Sequence, residues 1–175
     1  MKFQNGDIIL TERKNSIFIK GMRFFQKDSV KYGHAMVIID DSHVMEANIC
    51  VKQTSIEKVL SGIDSYKVIR LRNLTECDFQ TMKKALFSIE GKLYSWKRIV
   101  LQLFDQIFRT NYFTRLLTDK KSQVCSSLVA WCYYIACRTK FNNVDWMSCD
   151  PDDIDDESTN NPDKWEIVCI TEVKK

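Results

Sequence analysis

At 175 residues the chain has the length of one ordinary domain, long enough to bury a core without disulfide or metal support. Hydrophobic residues make up 45% and charged residues 28%, the balance of a soluble globular protein. The 26 Lys and Arg against 23 Asp and Glu leave a net charge of +3, too small an excess to point to nucleic acid. Taken in chain order, the predicted strands are Asp7 to Glu12, Gly33 to Asp40, His43 to Ile49, Val51 to Ile56 and Tyr66 to Leu71, with a turn at Asp40-Asp41-Ser42. Thr75, followed three residues on by Asp78, starts a helix carrying Phe79, Met82, Leu86 and Ile89 at helical spacing and ending at Gly91. Trp96 to Leu117 reads as one long helix or two shorter ones with a wide apolar face, and Val124 to Cys137 as a further helix. The acidic run Asp150 to Glu157 reads as a solvated loop, and Trp165 to Val173 as a closing strand. Strands, then helices, then a strand is an α+β order, and with no repeat or linker the chain 1–175 is expected to be one domain.

Seven scattered cysteines, Cys50, Cys77, Cys125, Cys132, Cys137, Cys149 and Cys169, form a poor disulfide framework and read as reduced thiols. No Cys-x-x-Cys pair occurs and the only histidines are His34 and His43, so a closed zinc site has little support and no metal or organic cofactor is expected. The N-terminus lacks the apolar core of a signal peptide, and no stretch reaches the ~20 apolar residues of a membrane span. The expected location is therefore cytoplasmic, without stable membrane insertion. The densest basic stretch, Arg115 to Lys121, reads as a solvated loop.

Three short segments carry the chemistry. Gly33-His34-Ala35-Met36-Val37 sets a histidine at the head of an apolar strand, and Val44-Met45-Glu46-Ala47 sets a carboxylate on its hairpin partner. Cys125-Ser126-Ser127-Leu128-Val129 sets a cysteine at the start of a helix. A nucleophilic cysteine must be a thiolate, and a helix N-terminus favours that charge. An imidazole completes the ion pair and later protonates the leaving group, while an acceptor on its second nitrogen fixes the ring. Adjacent antiparallel strands can place His34 and Glu46 side by side, and the backbone N–H of Cys125 could serve a developing oxyanion. Singly, a strand-end histidine is more often structural and a cysteine in an apolar helix is more often core. Their joint occurrence makes Cys125, His34 and Glu46 the candidate catalytic set, with His43 the second choice for the third member. Gln123, two residues before Cys125, is a candidate for assisting the oxyanion hole, and Cys132 and Cys137 read as packing.

The strings Gly6-Asp7-Ile8-Ile9-Leu10, Gly33-His34-Ala35-Met36-Val37, Met45-Glu46-Ala47, Tyr94 and Cys125-Ser126-Ser127-Leu128-Val129 together resemble the YiiX/YaeF-like proteins. These are circularly permuted relatives of the NlpC-type cell-wall peptidases and of lecithin retinol acyltransferase. The resemblance runs from about residue 6 to about residue 155. It implies a permuted papain-like fold, a mostly antiparallel sheet or small barrel packed against helices, in which the histidine strand precedes the cysteine helix. It also implies a cysteine amidase or peptidase working through a thioester at Cys125, with Tyr94 and Gln123 in substrate binding. Val51 to Ile56 is similar to the family's strand after the Glu-Ala pair, and Asp150 to Ile154 to its Pro-Ser/Asp-Asp-Leu loop. The chain departs from the pattern at Tyr94-Ser95, where Tyr-Asp is frequent, and in the long apolar stretch from Trp96 to Lys121. The expected partner is a peptide or lipid-amide substrate, a cell-wall stem peptide first, with no nucleic acid. The rivals are a lipid esterase or acyltransferase of the same fold, favoured by that apolar stretch, and a non-catalytic binding module.

Overall fold

The computed structural model describes residues 2–12, 31–48, 50–63, 65–92 and 125–172. Within them six strands form one sheet: β1 (Ile8–Glu12), β2 (His34–Ile38), β3 (His43–Ala47), β4 (Val51–Ser55), β5 (Ser65–Leu71) and β6 (Trp165–Glu172). The order across the sheet is β4-β3-β2-β1-β5-β6, and every neighbouring pair is antiparallel. Four helices accompany it: α1 (Ile56–Leu60), α2 (Glu76–Ser88), α3 (Cys125–Cys137) and α4 (Pro151–Asn160).

The α+β order read from the sequence is the observed one, but the small-barrel alternative is not. Among the described residues β4 and β6 are two unjoined edges, so the sheet stays open. The predicted strand Val51 to Ile56 gives up its last residue to α1, because the Ser55 side chain accepts the Lys58 N–H and caps a helix there. The α2 start follows the predicted chemistry, with Thr75 and Asp78 in a reciprocal capping box. The predicted helix or helices from Trp96 to Leu117, together with Tyr94, Gln123 and the basic stretch Arg115 to Lys121, lie outside the described residues.

The acidic run is the clearest departure from expectation. Asp150 to Glu157 is no solvated loop: Asp150 caps a helix, Pro151 stands in its first turn, and Asp153 closes a second capping box. The helix buries Ile154, Glu157 and Ser158 and leaves much of its other surface polar. It is tied to the sheet by Lys67, a β5 residue only 2% exposed, whose ammonium donates to Asp155 at 2.6 Å, Ser158 at 2.9 Å and Thr159 at 3.1 Å. A buried ammonium is tolerated because all three of its protons are accepted.

Alternation along the strands sorts side chains to two faces. Ala35, Val37 and Ile39 join Met45 and Ile69 in the larger core, which takes in Phe79 and Met82 of α2, Leu128 and Tyr133 of α3, and Ile154 of α4. Ile9, Met36, Ile38, Val44 and Val68 face the other way, against Ile56 and Val59 of α1. The helix α3 therefore lies across one face of β2, while His34, in step with Met36 and Ile38, belongs to the other. Gly6 sits at the far end of β2 from His34, its N–H donating to the Ile38 carbonyl and its own carbonyl accepting from the Tyr133 hydroxyl. Gly6 has φ +84°, and a Cβ there would run into the Leu74 side chain. Gly6→Ala is expected to cost about 1–3 kcal/mol in urea unfolding, from the left-handed backbone and the overpacking together. An unchanged midpoint would mean that this turn is not held as described.

Candidate active site

The candidate set converges where β2 begins. His34 is the first residue of β2, and its Nε2 lies 2.9 Å from Oε2 of Glu46. The two are not directly opposed: the register places Glu46 across from Met36, so His34 meets Glu46 along the diagonal on the same face. Glu46 is 8% exposed and His34 23%. Its other oxygen, Oε1, accepts the Thr54 hydroxyl at 2.6 Å and has the Lys52 ammonium at 3.9 Å. Both of these come from β4, where Glu46 pairs with Lys52 and Val44 with Thr54.

Cys125, the first residue of α3, arrives from the opposite face of the sheet. The β2–β3 register stops at the Met36–Glu46 pair and leaves Ala35 outside it. The Ala35 and Ser126 N–H groups and the His34 ring all act to favour the Cys125 thiolate. With Nε2 engaged by Glu46, Nδ1 is the ring nitrogen left for the sulfur. The Ser126 hydroxyl donates at 2.7 Å to the carbonyl of Cys149, fixing the start of α3 against the approach to α4.

All seven thiols are free, and electrostatics separate Cys125 from the other six. Burial pushes the Cys132 and Cys149 thiols well above the ordinary range, and Cys169 is raised as well. Cys125 is just as deeply set, and burial works against its thiolate too, but the His34 charge and hydrogen bond with the two backbone N–H groups bring it below the ordinary value. His34 moves in step. Burial alone would lower its pKa, yet the Cys125 thiolate and the Glu46 carboxylate raise it to about 9. Burial would raise Glu46, but hydrogen bonds from His34 and Thr54, with the His34 charge and Lys52, bring it down to about 2. All three shifts act in one direction, toward thiolate, imidazolium and carboxylate in series.

Of the residues singled out in the sequence, Cys125, His34 and Glu46 come together. His43 does not join them: its Nδ1 lies 3.0 Å from Asp40 in the exposed β2–β3 turn. Cys132 is buried in the larger core, where packing was expected, and Cys137 packs against that core. Thr54, Lys52 and the Ala35 N–H were missed. Thr54 could have been found from the β3–β4 hairpin, since a hydroxyl two residues beyond the position facing Glu46 shares its face.

These elements define an open-sheet α+β protein with a Cys–His–Glu arrangement where a strand start meets a helix start. Its fold matches that of a solved structure, the metalloprotein YiiX of Escherichia coli O157:H7, with a TM-score of 0.60 at 17% identity over 100% of this chain and 98% of that one. The YiiX-like motifs read from the sequence thus have a counterpart in the fold. No protein-family model matches the chain, and no curated protein matches it. No helix among the described residues is long and apolar enough to cross a membrane.

Proposed function

We propose that the protein is a cysteine hydrolase of the permuted papain-like kind that cleaves an amide through a thioester at Cys125. One observation carries the reading: a helix-start thiol whose pKa is lowered by an imidazole, the far nitrogen of which is 2.9 Å from a buried carboxylate. The chain order, histidine strand before cysteine helix, supports the permuted arrangement.

The Cys125 thiolate attacks the carbonyl carbon, and the electron pair of the C=O bond moves to oxygen as a tetrahedral oxyanion. The backbone N–H of Cys125, at the α3 start, is the donor we assign to that charge. Collapse of the oxyanion expels the amine, which takes its proton from the His34 imidazolium, leaving an acyl–Cys125 thioester. Water then attacks the thioester while neutral His34 accepts its proton. The acid departs and the thiolate–imidazolium pair is restored. Glu46 holds the ring and offsets its positive charge in both halves.

YiiX is a metalloprotein, which makes a metal at this chain's own donor groups the natural comparison. Among the described residues no group of three or more His, Cys, Asp and Glu is arranged to hold one. In the triad itself His34 Nε2 and Glu46 Oε2 meet directly, as a hydrogen bond of 2.9 Å.

The leading substrate class is a peptide amide such as a cell-wall stem peptide, carried by the family resemblance. Incubation with separate peptidoglycan-fragment and phospholipid pools, followed by mass spectrometry of the Cys125 peptide, tests both the class and the chemistry. Acylation from the peptide pool is expected. Acylation from the phospholipid pool would transfer the reading to a lipid acyl group, and acylation at any other cysteine would remove Cys125 from the mechanism.

A further inference from the structure

We propose that Thr54 is the positioning residue of this site, its hydroxyl committing one oxygen of Glu46 so that the other is aimed at the His34 ring. The catalytic consequence rests on the cysteine-hydrolase reading; the geometry does not. Thr54 Oγ1 lies 2.6 Å from Glu46 Oε1, the short distance of a hydroxyl donating to a charged carboxylate. The opposite oxygen, Oε2, is the one on His34 Nε2.

The carboxylate needs such a hold. The last torsion of a glutamate is broad, so a single hydrogen bond to His34 would not fix the plane of the group. The other partner of Oε1, Lys52, is 3.9 Å away with a side chain 47% exposed, too distant and too solvated to set that plane. Were Oε1 free, the carboxylate could turn toward Lys52 and take Oε2 off the imidazole. Thr54 is suited to the task because a β-branched side chain on a strand has few χ1 choices, so its hydroxyl is held in place before the bond forms. Its position on β4, diagonal to Glu46 across the β3–β4 pair, is set by the register alone.

The test uses untagged protein, because the chain then contains only two histidines, His34 and His43, and both can be followed by NMR titration of their ring protons. Thr54→Val keeps the shape and removes the hydroxyl; Thr54→Ser keeps the hydroxyl and removes the methyl. The His34 midpoint is expected to fall by about half a pH unit in Thr54→Val, as one hydrogen bond's worth of orientation is lost. It should return to the parent value in Thr54→Ser. His43, held by Asp40 in the distant turn, should titrate alike in all three proteins. An unchanged or raised His34 midpoint in Thr54→Val would overturn the proposal, and so would an equal fall in Thr54→Ser. Failure of the cysteine-hydrolase reading shows elsewhere, as a parent Cys125 no faster in iodoacetamide labelling than the other six thiols. The two failures are therefore separable.

Discussion

His34→Ala is expected to slow iodoacetamide labelling of Cys125 at pH 7 by about a hundredfold. Only the thiolate is alkylated at a useful rate, so the rate follows the ionised fraction. In the parent protein the imidazolium is the largest influence opposing burial at this sulfur, ahead of the Ala35 and Ser126 N–H groups. Cys132 and Cys149 show what burial does without such a partner: both thiols are driven far above the ordinary range. With His34 gone, Cys125 joins them in direction, and at pH 7 about 1% or less would remain ionised. Rates read by peptide mapping across pH should be nearly level for the parent and should climb only at alkaline pH for the variant. A fall of less than threefold, in a variant with native circular dichroism, would end the ion-pair assignment.

The same pair sets the pH limits. His34 is raised from 6.5 to about 9 in the folded protein, so its contribution to stability is complete below pH 6.5 and is lost as pH rises through 9. Glu46 is lowered from 4.5 to about 2, so its contribution is complete above pH 4.5 and is lost as pH falls through 2. Turnover of an amide should fail above about pH 9, where the leaving-group acid has lost its proton, while alkylation of Cys125 should persist there. Glu46→Gln should be milder than His34→Ala, because an amide oxygen can still accept from the ring.

Asp7→Ala is expected to have the largest effect on stability, about 3 kcal/mol, or roughly 10 °C in melting temperature for a chain of this size. Asp7 is fully buried and takes Arg70 in a two-pronged contact, Nε to Oδ1 and Nη2 to Oδ2, both at 2.8 Å. Oδ2 also accepts the Gln4 N–H at 2.9 Å. Removing the carboxylate leaves a guanidinium with Glu166 at 4.0 Å as its remaining carboxylate partner among the described residues, and that group is 42% exposed. Because Arg70 keeps 18% of its own exposure, water offsets part of the loss, which is why the figure sits at the low end for a broken buried pair. Removing Arg70 as well should recover part of the deficit, since the two side chains form one unit. Cys125 labelling should be unchanged below the melting temperature, as Asp7 pairs at the other end of β2 from His34. A variant melting within a degree of the parent would sink the assignment.

What the sequence settled by itself was short in range. The succession of strands and helices along the chain, the Thr75–Asp78 cap and the placing of Cys125 at a helix start each rest on residues within a few positions of one another. The pairing of His34 with Glu46 was legible for the same reason, since one tight turn joins their strands. Asp150 to Asp153 carried an equally local helix signal, cap and proline together, but the density of charge pointed to a loop. That charge finds its reason in the tertiary structure, where Asp155 meets Lys67 across 88 positions of sequence. Nothing near Lys67 announces that an ammonium in a strand will be buried, because its three acceptors exist only once α4 lies over β5.

The site shows the same division. Residue types and order named Cys125, His34 and Glu46, but whether a helix on one face of a sheet can reach a histidine on the other depends on where the strand pairing ends. Here the β2–β3 ladder stops one residue short of His34's neighbour and leaves the Ala35 N–H for the sulfur. Register likewise decides that Thr54 and Lys52 share Glu46's face, and distance then separates a 2.6 Å hydrogen bond from a 3.9 Å neighbour. Register follows from packing both faces of the sheet at once, against α2, α3 and α4 on one side and α1 on the other, so no single segment of the chain contains it.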